Sequence, residues 1–142
     1  MNRDTPPEPA TLGHTLGQQR IILMEPGRAM IEYEVAMHMC HSGGIAQGGF
    51  PAAWIDAAMA HAIMAETGND RIPMTLELKV SYFAPARPGL VRAEAWAESR
   101  GGSTWFMEGR LLDAGDKVLA KASSTIRLID AKKIAAKVAA GA

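Results

Sequence analysis

Hydrophobic and polar residues alternate in two regions of this chain, one near its start and one through its second half. Residues 21–24 form a short apolar run and Gly27 follows it. Residues 30–35 then alternate, with Ile31, Tyr33 and Val35 on one face and Glu32 and Glu34 on the other. This pattern predicts a β-hairpin. Apolar and polar residues also alternate in four longer segments: 75–83, 90–98, 104–112 and 117–128. Because glycine turns separate the later segments, they predict an antiparallel meander.

One segment between these regions breaks the alternation. Residues 50–66 are rich in alanine and place large apolar side chains, such as Trp54 and Ile63, around the whole circumference of a helix. Pro51 suits the first helical turn, where its missing N–H would have no partner in any case. Gly68 follows as a stop signal. A helix that is apolar on nearly every side must be buried on nearly every side.

One buried helix among about six antiparallel strands predicts an α+β fold, in which a curved antiparallel sheet wraps around one long central helix. We expect this domain to span residues 19–130. Residues 1–18 contain three prolines and predict a flexible N-terminal arm, and residues 131–142 predict a C-terminal tail. The free edges of such a sheet indicate that a second copy of the chain continues it.

Composition narrows the classes of protein that remain. The 142 residues suffice for one domain, and 48% hydrophobic with 21% charged residues is typical of a globular chain. Fifteen basic and fifteen acidic residues cancel, which argues against a nucleic-acid partner. One cysteine excludes an internal disulfide. The start is polar, and the longest uncharged stretch holds histidines and glycines. We therefore expect a cytoplasmic protein without a membrane partner.

The candidate chemistry lies where residues 41–49 lead into the predicted helix. Asp56 falls inside that helix, and a buried carboxylate is costly unless it is paired. Asp56 is thus either a paired or capping residue or a catalytic carboxylate. Gly48 and Gly49 either form an ordinary turn or present backbone N–H groups to a developing oxyanion at the helix start. Together the two signals predict acyl-transfer or hydrolytic chemistry.

The run from His41 to Ala62 resembles the signature of the hotdog-fold acyl-CoA thioesterases, in their PaaI-like branch. That signature reads Asn-x-x-Gly-x-x-His-Gly-Gly, four further residues, an apolar residue, and x-Asp-x-Ala. The matching positions here are Gly44, Gly48, Gly49, Trp54, Asp56 and Ala58. Residues 75–89 resemble the next strand of the family and its Pro-Ala-x-x-Gly turn. The likeness covers about residues 30–129 and implies a hotdog fold.

This chain departs from the signature at two positions, because His41 replaces the Asn and Gln47 replaces the His. The resemblance implies that Asp56 acts as general base or nucleophile and that the Gly48 amide binds the oxyanion. Gln47 still offers a side-chain N–H as an auxiliary donor. Thr75 falls where relatives carry a Ser or Thr that orients the attacking water.

Further residues are candidates for substrate binding. His41 and Gly49 lie in the signature loop, and Arg87, Arg100 and Lys121 are candidates to meet the phosphates of coenzyme A. Solvated surface charge is the commoner role for any one of these three cations.

No metal site is predicted. His38, Cys40 and His41 lie close together, but no second pair of ligands follows at the spacing of a zinc site. His61 lies off the helical face of Asp56 and is expected to be a core histidine.

The resemblance implies hydrolysis of an acyl-CoA thioester, with coenzyme A as part of the substrate and no other cofactor. It also implies a dimer or dimer of dimers, in which Asp56 of one subunit faces the Gln47 loop of the other. Two alternatives remain. A non-catalytic acyl-CoA or small-ligand binding protein is favoured by the lost family His. A hotdog-fold enoyl-CoA hydratase is disfavoured, because no hydratase-like Asp and His segment is visible.

Overall fold

A computed structural model describes residues 2–141 and shows an antiparallel sheet of six strands curled around one long helix. The elements in chain order are α1 (Leu12–Thr15), β1 (Gln18–Glu25), β2 (Arg28–Val35), β3 (Cys40–His41), β4 (Ile45–Ala46), α2 (Gly49–Thr67), β5 (Arg71–Tyr82), β6 (Gly89–Arg100), β7 (Thr104–Asp113), β8 (Val118–Asp130) and α3 (Ala131–Ala139). The predicted α+β class is confirmed. Among the described residues, no helix has the length and apolar character needed to cross a membrane.

The strand order of the sheet is β1-β2-β6-β7-β8-β5, and β3 pairs only with β4. The predicted hairpin is present as β1 and β2, and β6, β7 and β8 form a meander. The prediction that β5 belongs to this meander is wrong, because β5 pairs with β8 at the far edge. The link 83–88 contains two prolines and carries the chain past β8 and β7 to β6.

Helix α2 lies against the concave face of the sheet and supplies the centre of the core. The indole of Trp54 stacks on Tyr33 with ring centroids 5.9 Å apart. Gly109 on β7 permits the close approach of the helix, since a Cβ there would lie 2.6 Å from the Ile55 side chain. The helix ends at Gly68, whose φ of 69° lies in the left-handed region that favours glycine.

The opposite face of α2 is only half covered in the single chain. Ala53, Asp56, Ala57 and Ala60 are half-buried there, whereas a helix apolar all round was expected to be buried on nearly every side. The neighbouring strand β5 is a free edge and carries exposed apolar side chains. The surface left open thus runs along one side of α2 and the edge of β5.

The segment expected to be a flexible arm is attached to the domain, although its first residue lies outside the described range. The carbonyl of Arg3 accepts a hydrogen bond of 2.8 Å from the backbone N–H of Ile21. Leu16 is buried, and its carbonyl accepts a hydrogen bond of 2.7 Å from the Trp54 indole. The end of the arm therefore belongs to the core, because it satisfies a buried indole N–H.

The face of the sheet turned away from α2 holds a buried carboxylate. Glu94 on β6 is 5% exposed and accepts hydrogen bonds of 2.9 Å from both Arg28 and Arg110. Burial opposes ionisation of Glu94, but the two guanidinium groups outweigh it and hold the pKa of Glu94 below its usual value. The hydrogen bond to Glu94 likewise raises the pKa of Arg28. The cluster joins three adjacent strands through one ionised side chain.

Candidate active site

Asp56 and Thr75 are brought together at the open side of α2. The Thr75 hydroxyl donates a hydrogen bond of 2.7 Å to Oδ1 of Asp56. Thr75 lies at a register shift in β5, where an irregularity in the ladder re-aims neighbouring side chains. Within residues 2–141, no Lys, Arg or His forms an ion pair with Asp56. The arrangement leaves a half-buried carboxylate held by one hydroxyl.

A phenol lies beneath this carboxylate in the core. Burial and, to a smaller extent, the charge of Asp56 raise the pKa of Tyr33, so its phenol stays neutral at physiological pH. Its hydroxyl is 3.5 Å from the carbonyl oxygen of Trp54. Tyr33 therefore adds packing, and no negative charge, beside Asp56.

The loop before α2 presents a free backbone donor. Oε1 of Gln47 accepts a hydrogen bond of 2.8 Å from the Gly49 N–H, and the Gln47 carbonyl accepts one of 2.9 Å from Phe50. Pro51 has no N–H. Over the described part of the chain, the Gly48 N–H has no hydrogen-bond partner. Gly48 thus keeps a donor at the positive end of the helix dipole, which suits a developing oxyanion.

Gln47 has a structural role that its sequence position did not predict. Its amide oxygen caps the first turn of α2, while its amide NH2 has no hydrogen-bond partner within residues 2–141. Gly49 is suited to this cap, since a Cβ there would lie 2.8 Å from Oε1 of Gln47. The hydrogen bond from Gly49 holds the Gln47 amide group through its oxygen. It thereby also orients the NH2 of that group, which is the predicted auxiliary donor.

Tyr82 at the end of β5 was not among the predicted site residues. Its hydroxyl donates a short hydrogen bond to the carbonyl of Gly48 and thereby fixes the peptide group next to the free N–H. A Tyr at the end of a strand has no distinctive local pattern. Only the packing of β5 against the start of α2 reveals this contact.

An apolar cavity of about 350 Å³ opens beside Gly48. His41 and Tyr82 lie at its polar side, and the buried side chains of Leu111 and Ala120 form part of its lining. Its volume falls at the lower end of the range for small-molecule sites. The cavity places apolar surface directly next to the free donor of Gly48.

The two halves of the predicted chemistry, the Gly48 N–H and the Asp56 carboxylate, are far apart within the chain. Gly48 and Asp56 are separated by eight positions on the same helix, which is about 12 Å along its axis. A single carbonyl group cannot contact both the Gly48 N–H and the Asp56 carboxylate at that separation. Within one chain, the Gly48 donor and the Asp56 carboxylate are therefore two separate half-sites.

The predicted phosphate ligands lie apart from one another. Nε of Arg100 is 3.0 Å from both carboxylate oxygens of Glu66, and its guanidinium lies over the ring of Trp105, so Arg100 is held near the far end of α2 from Gly48. Arg87 donates a hydrogen bond of 3.3 Å to the Gly43 carbonyl in the signature loop. Lys121 lines a separate depression with Lys79 and Glu108. Of the three predicted cations, Arg87 is the one hydrogen-bonded to the signature loop.

The histidines and the cysteine have separate local contacts. Sγ of Cys40 is 3.5 Å from the carbonyl of Ala36. His61 is half-buried, and its Nδ1 lies 2.7 Å from the carbonyl of Ala57. Among the residues that the structure covers, no three His, Cys, Asp or Glu side chains form a group able to hold a metal ion.

Known proteins are similar to the part of the chain that contains the candidate site. Residues 43–120 match the family model of the thioesterase superfamily. A candidate esterase of Saccharolobus solfataricus is 30% identical over 104 residues, which are 72% of this chain and 73% of that protein.

Two solved structures show the same architecture. A candidate thioesterase of Ralstonia eutropha, related to phenylacetic acid degradation, is 30% identical and superimposes with a TM-score of 0.77 over 85% of this chain and 91% of that one. A mutant form of the phenylacetic acid degradation protein PaaI of Thermus thermophilus is 26% identical, with a TM-score of 0.71 over 80% of this chain and 95% of that one.

Proposed function

Because this chain belongs to the thioesterase superfamily and has the hotdog fold of its PaaI-like branch, we propose that it hydrolyses an acyl-CoA thioester to the free acid and coenzyme A. The observation that carries the proposal is the hydrogen bond between Thr75 and Asp56 beside the open face of α2. A carboxylate oriented by a hydroxyl is suited to hold and deprotonate a water molecule. The expected cytoplasmic location stays a prediction.

The reaction begins when the thioester oxygen accepts a hydrogen bond from the Gly48 N–H. A water molecule held by Thr75 gives a proton to Asp56 and forms a bond to the carbonyl carbon. The resulting oxyanion is stabilised by Gly48, with the Gln47 amide as auxiliary donor. The carbon–sulfur bond then breaks, and the thiolate takes the proton from Asp56. Direct attack by the Asp56 carboxylate, through an anhydride, is the alternative use of the same group.

The two half-sites support a composite site in a homodimer. We expect Asp56 of one subunit to act with Gly48 of the partner subunit, because the separation of about 12 Å on one helix prevents joint action within a subunit. The free edge of β5 and its exposed Met74 and Leu76 offer a surface for this pairing. A dimer of dimers built from the same unit is compatible with this arrangement.

The acyl group is expected to occupy the cavity beside Gly48. That cavity has a mainly apolar lining that includes Leu111 and Leu119, and it adjoins the proposed oxyanion donor. An acyl chain or aromatic acyl group bound there would place its carbonyl at the start of α2. His41 at the mouth of the cavity would contact the thioester end of the substrate.

The test compares the wild type with Asp56→Asn on a panel of acyl-CoA thioesters, with release of the free thiol as the readout. We expect turnover to fall by about 10²-fold or more, as for the loss of a positioned acid–base group. Glu34→Gln is a matched control, since Glu34 is an exposed acid on β2 with no side-chain hydrogen bond within residues 2–141. Circular dichroism checks that both variants are folded.

Two outcomes would contradict the proposal. Full activity of Asp56→Asn would place the chemistry elsewhere. Binding of acyl-CoA by a wild type that hydrolyses none of the panel would favour a binding protein, the second candidate function, which the Gln47 substitution supports.

A further inference from the structure

A second depression lies beside the apolar cavity that opens next to Gly48. Its volume is about 380 Å³, and it is lined by residues of the segment 84–91 and by residues around the turn between β7 and β8. Charged side chains, those of Arg87, Asp113 and Lys117, form part of this lining, whereas the lining of the first cavity is mainly apolar. The two neighbouring depressions therefore differ in the groups that they offer a ligand.

The boundary between the two depressions lies at Leu119. Of the residues that the structure describes, three line both depressions: Ala84, Pro85 and Leu119. Pro85 is exposed, and the side chain of Ala84 is a single methyl group. Leu119 is 4% exposed and has the largest side chain of the three. The Leu119 side chain therefore fills most of the space between the two depressions.

Leu119 is held in this position by its backbone. It is the residue without an opposite number at the register shift in the β7–β8 ladder, which is the position of a β-bulge. Its carbonyl oxygen accepts hydrogen bonds of 2.8 and 3.2 Å from the backbone N–H groups of Phe83 and Ala84. Because these contacts involve main-chain atoms, a shorter side chain at position 119 should leave the backbone in place.

The size of the first cavity limits the group that it can hold. An apolar cavity of about 150 Å³ holds a benzene ring, which has six carbons. On that scale, a cavity of about 350 Å³ that also admits the thioester group holds an acyl group of up to roughly ten carbons. A longer chain that enters at Gly48 would have to displace the Leu119 side chain or leave its last carbons in water.

From this arrangement we propose that Leu119 sets the upper length of the acyl group, and that the substrates are thioesters of short and medium apolar acids of up to roughly ten carbons. The inference rests on the proposed function, which places the acyl group in the cavity beside Gly48. Leu119 is thus a specificity-determining residue. It contacts the end of the acyl chain and takes no part in the chemistry at Asp56.

The test compares the wild type with Leu119→Ala and Leu119→Val, with Leu112→Ala as matched control. Leu112 on the neighbouring strand β7 is also buried, but it lines neither depression. Its truncation therefore removes the same three carbons from the interior without opening the boundary. The probes in calorimetry are S-alkyl thioethers of coenzyme A, from hexyl to tetradecyl, which bind but cannot be hydrolysed. Circular dichroism checks that each variant is folded.

The affinity of the wild type should rise with chain length as far as decyl and then level off. Leu119→Ala makes room for about two further methylene groups, and each buried methylene strengthens binding about fourfold. The affinity ratio of dodecyl over decyl should therefore rise about tenfold in Leu119→Ala and by a smaller factor, about fourfold, in Leu119→Val. The ratio of kcat/KM for dodecanoyl-CoA over decanoyl-CoA should rise in parallel. Leu112→Ala should keep the wild-type ratios.

The assignment of Leu119 and the proposed function can fail separately. An unchanged ratio in both Leu119 variants, an equal rise in Leu112→Ala, or a wild-type affinity that keeps rising to tetradecyl would overturn the role of Leu119. If Leu119→Ala does not fold, Leu119→Val alone decides between these results. A shifted binding ratio in a protein that hydrolyses no thioester would retain Leu119 and overturn the proposed function. An unchanged ratio in an active thioesterase would do the reverse.

Discussion

Replacing Thr75 by valine removes the hydroxyl that holds Asp56 and leaves a side chain of nearly the same shape. The lost contact is a hydrogen bond of 2.7 Å from a hydroxyl to a carboxylate. Hydrogen bonds to charged groups contribute about 1.5–3 kcal/mol. If this bond orients the carboxylate and its water in the transition state, its loss corresponds to a decrease of about 10- to 100-fold in kcat.

The assay is steady-state hydrolysis of the best acyl-CoA substrate by wild type, Thr75→Val and Thr75→Ser. Because serine keeps the hydroxyl, Thr75→Ser should retain most of the wild-type kcat. Thr75 is exposed, so both variants should melt close to the wild type. Unchanged kcat in Thr75→Val would refute the role of the hydroxyl. Equal losses in the serine and valine variants would instead attribute the effect to the backbone irregularity of β5.

Four further predictions concern Gln47, Glu94 and the assembly of the protein. Gln47→Ala should lower kcat about tenfold, because it removes an auxiliary donor. It should also destabilise the protein by about 1 kcal/mol in chemical denaturation, because it removes the cap on the Gly49 N–H. Unchanged stability would exclude the capping role. Gln47→His should keep or raise activity in the same hydrolysis assay. The pKa of Glu94 is lowered in the folded state, so the unfolded chain binds more protons below about pH 4.5, the usual carboxyl value. The Tm should therefore fall below that pH, and it should fall less steeply in Glu94→Gln. Parallel curves of Tm against pH for the wild type and the variant would contradict this. Light scattering should find a dimer or larger assembly, and a monomer of 15.2 kDa at micromolar concentration would argue against the composite site.

Local pattern was sufficient for most of the secondary structure. The apolar circumference of residues 50–66 predicted a helix. The observed helix, Gly49–Thr67, is longer by one residue at each end. Alternation in 104–112 predicted a strand observed at Thr104–Asp113. Such elements are predictable because their period and their terminating glycines are encoded within a few neighbouring residues.

Strand order was not encoded in this way. The alternation of β5 predicted a strand but was equally compatible with pairing to β6 or β8, since neither pairing changes which face is apolar. The structure pairs β5 with β8, and the 83–88 link then carries the chain from that edge to β6. Likewise, nothing near Glu94 in the sequence indicates that it is buried, because the neighbouring strands supply Arg28 and Arg110, which permit its burial.

The candidate site likewise depends partly on local sequence and partly on the tertiary structure. The sequence by itself, through its resemblance to a family, singled out Asp56, Thr75 and the Gly48 loop as candidate site residues, because residue type and spacing can be compared along the chain without knowledge of the fold. The tertiary structure decided that Tyr82 at the end of β5 supports Gly48 and that Thr75 on β5 contacts Asp56 on α2. These contacts join residues 34 and 19 positions apart in sequence, and only packing of the elements against one another specifies them.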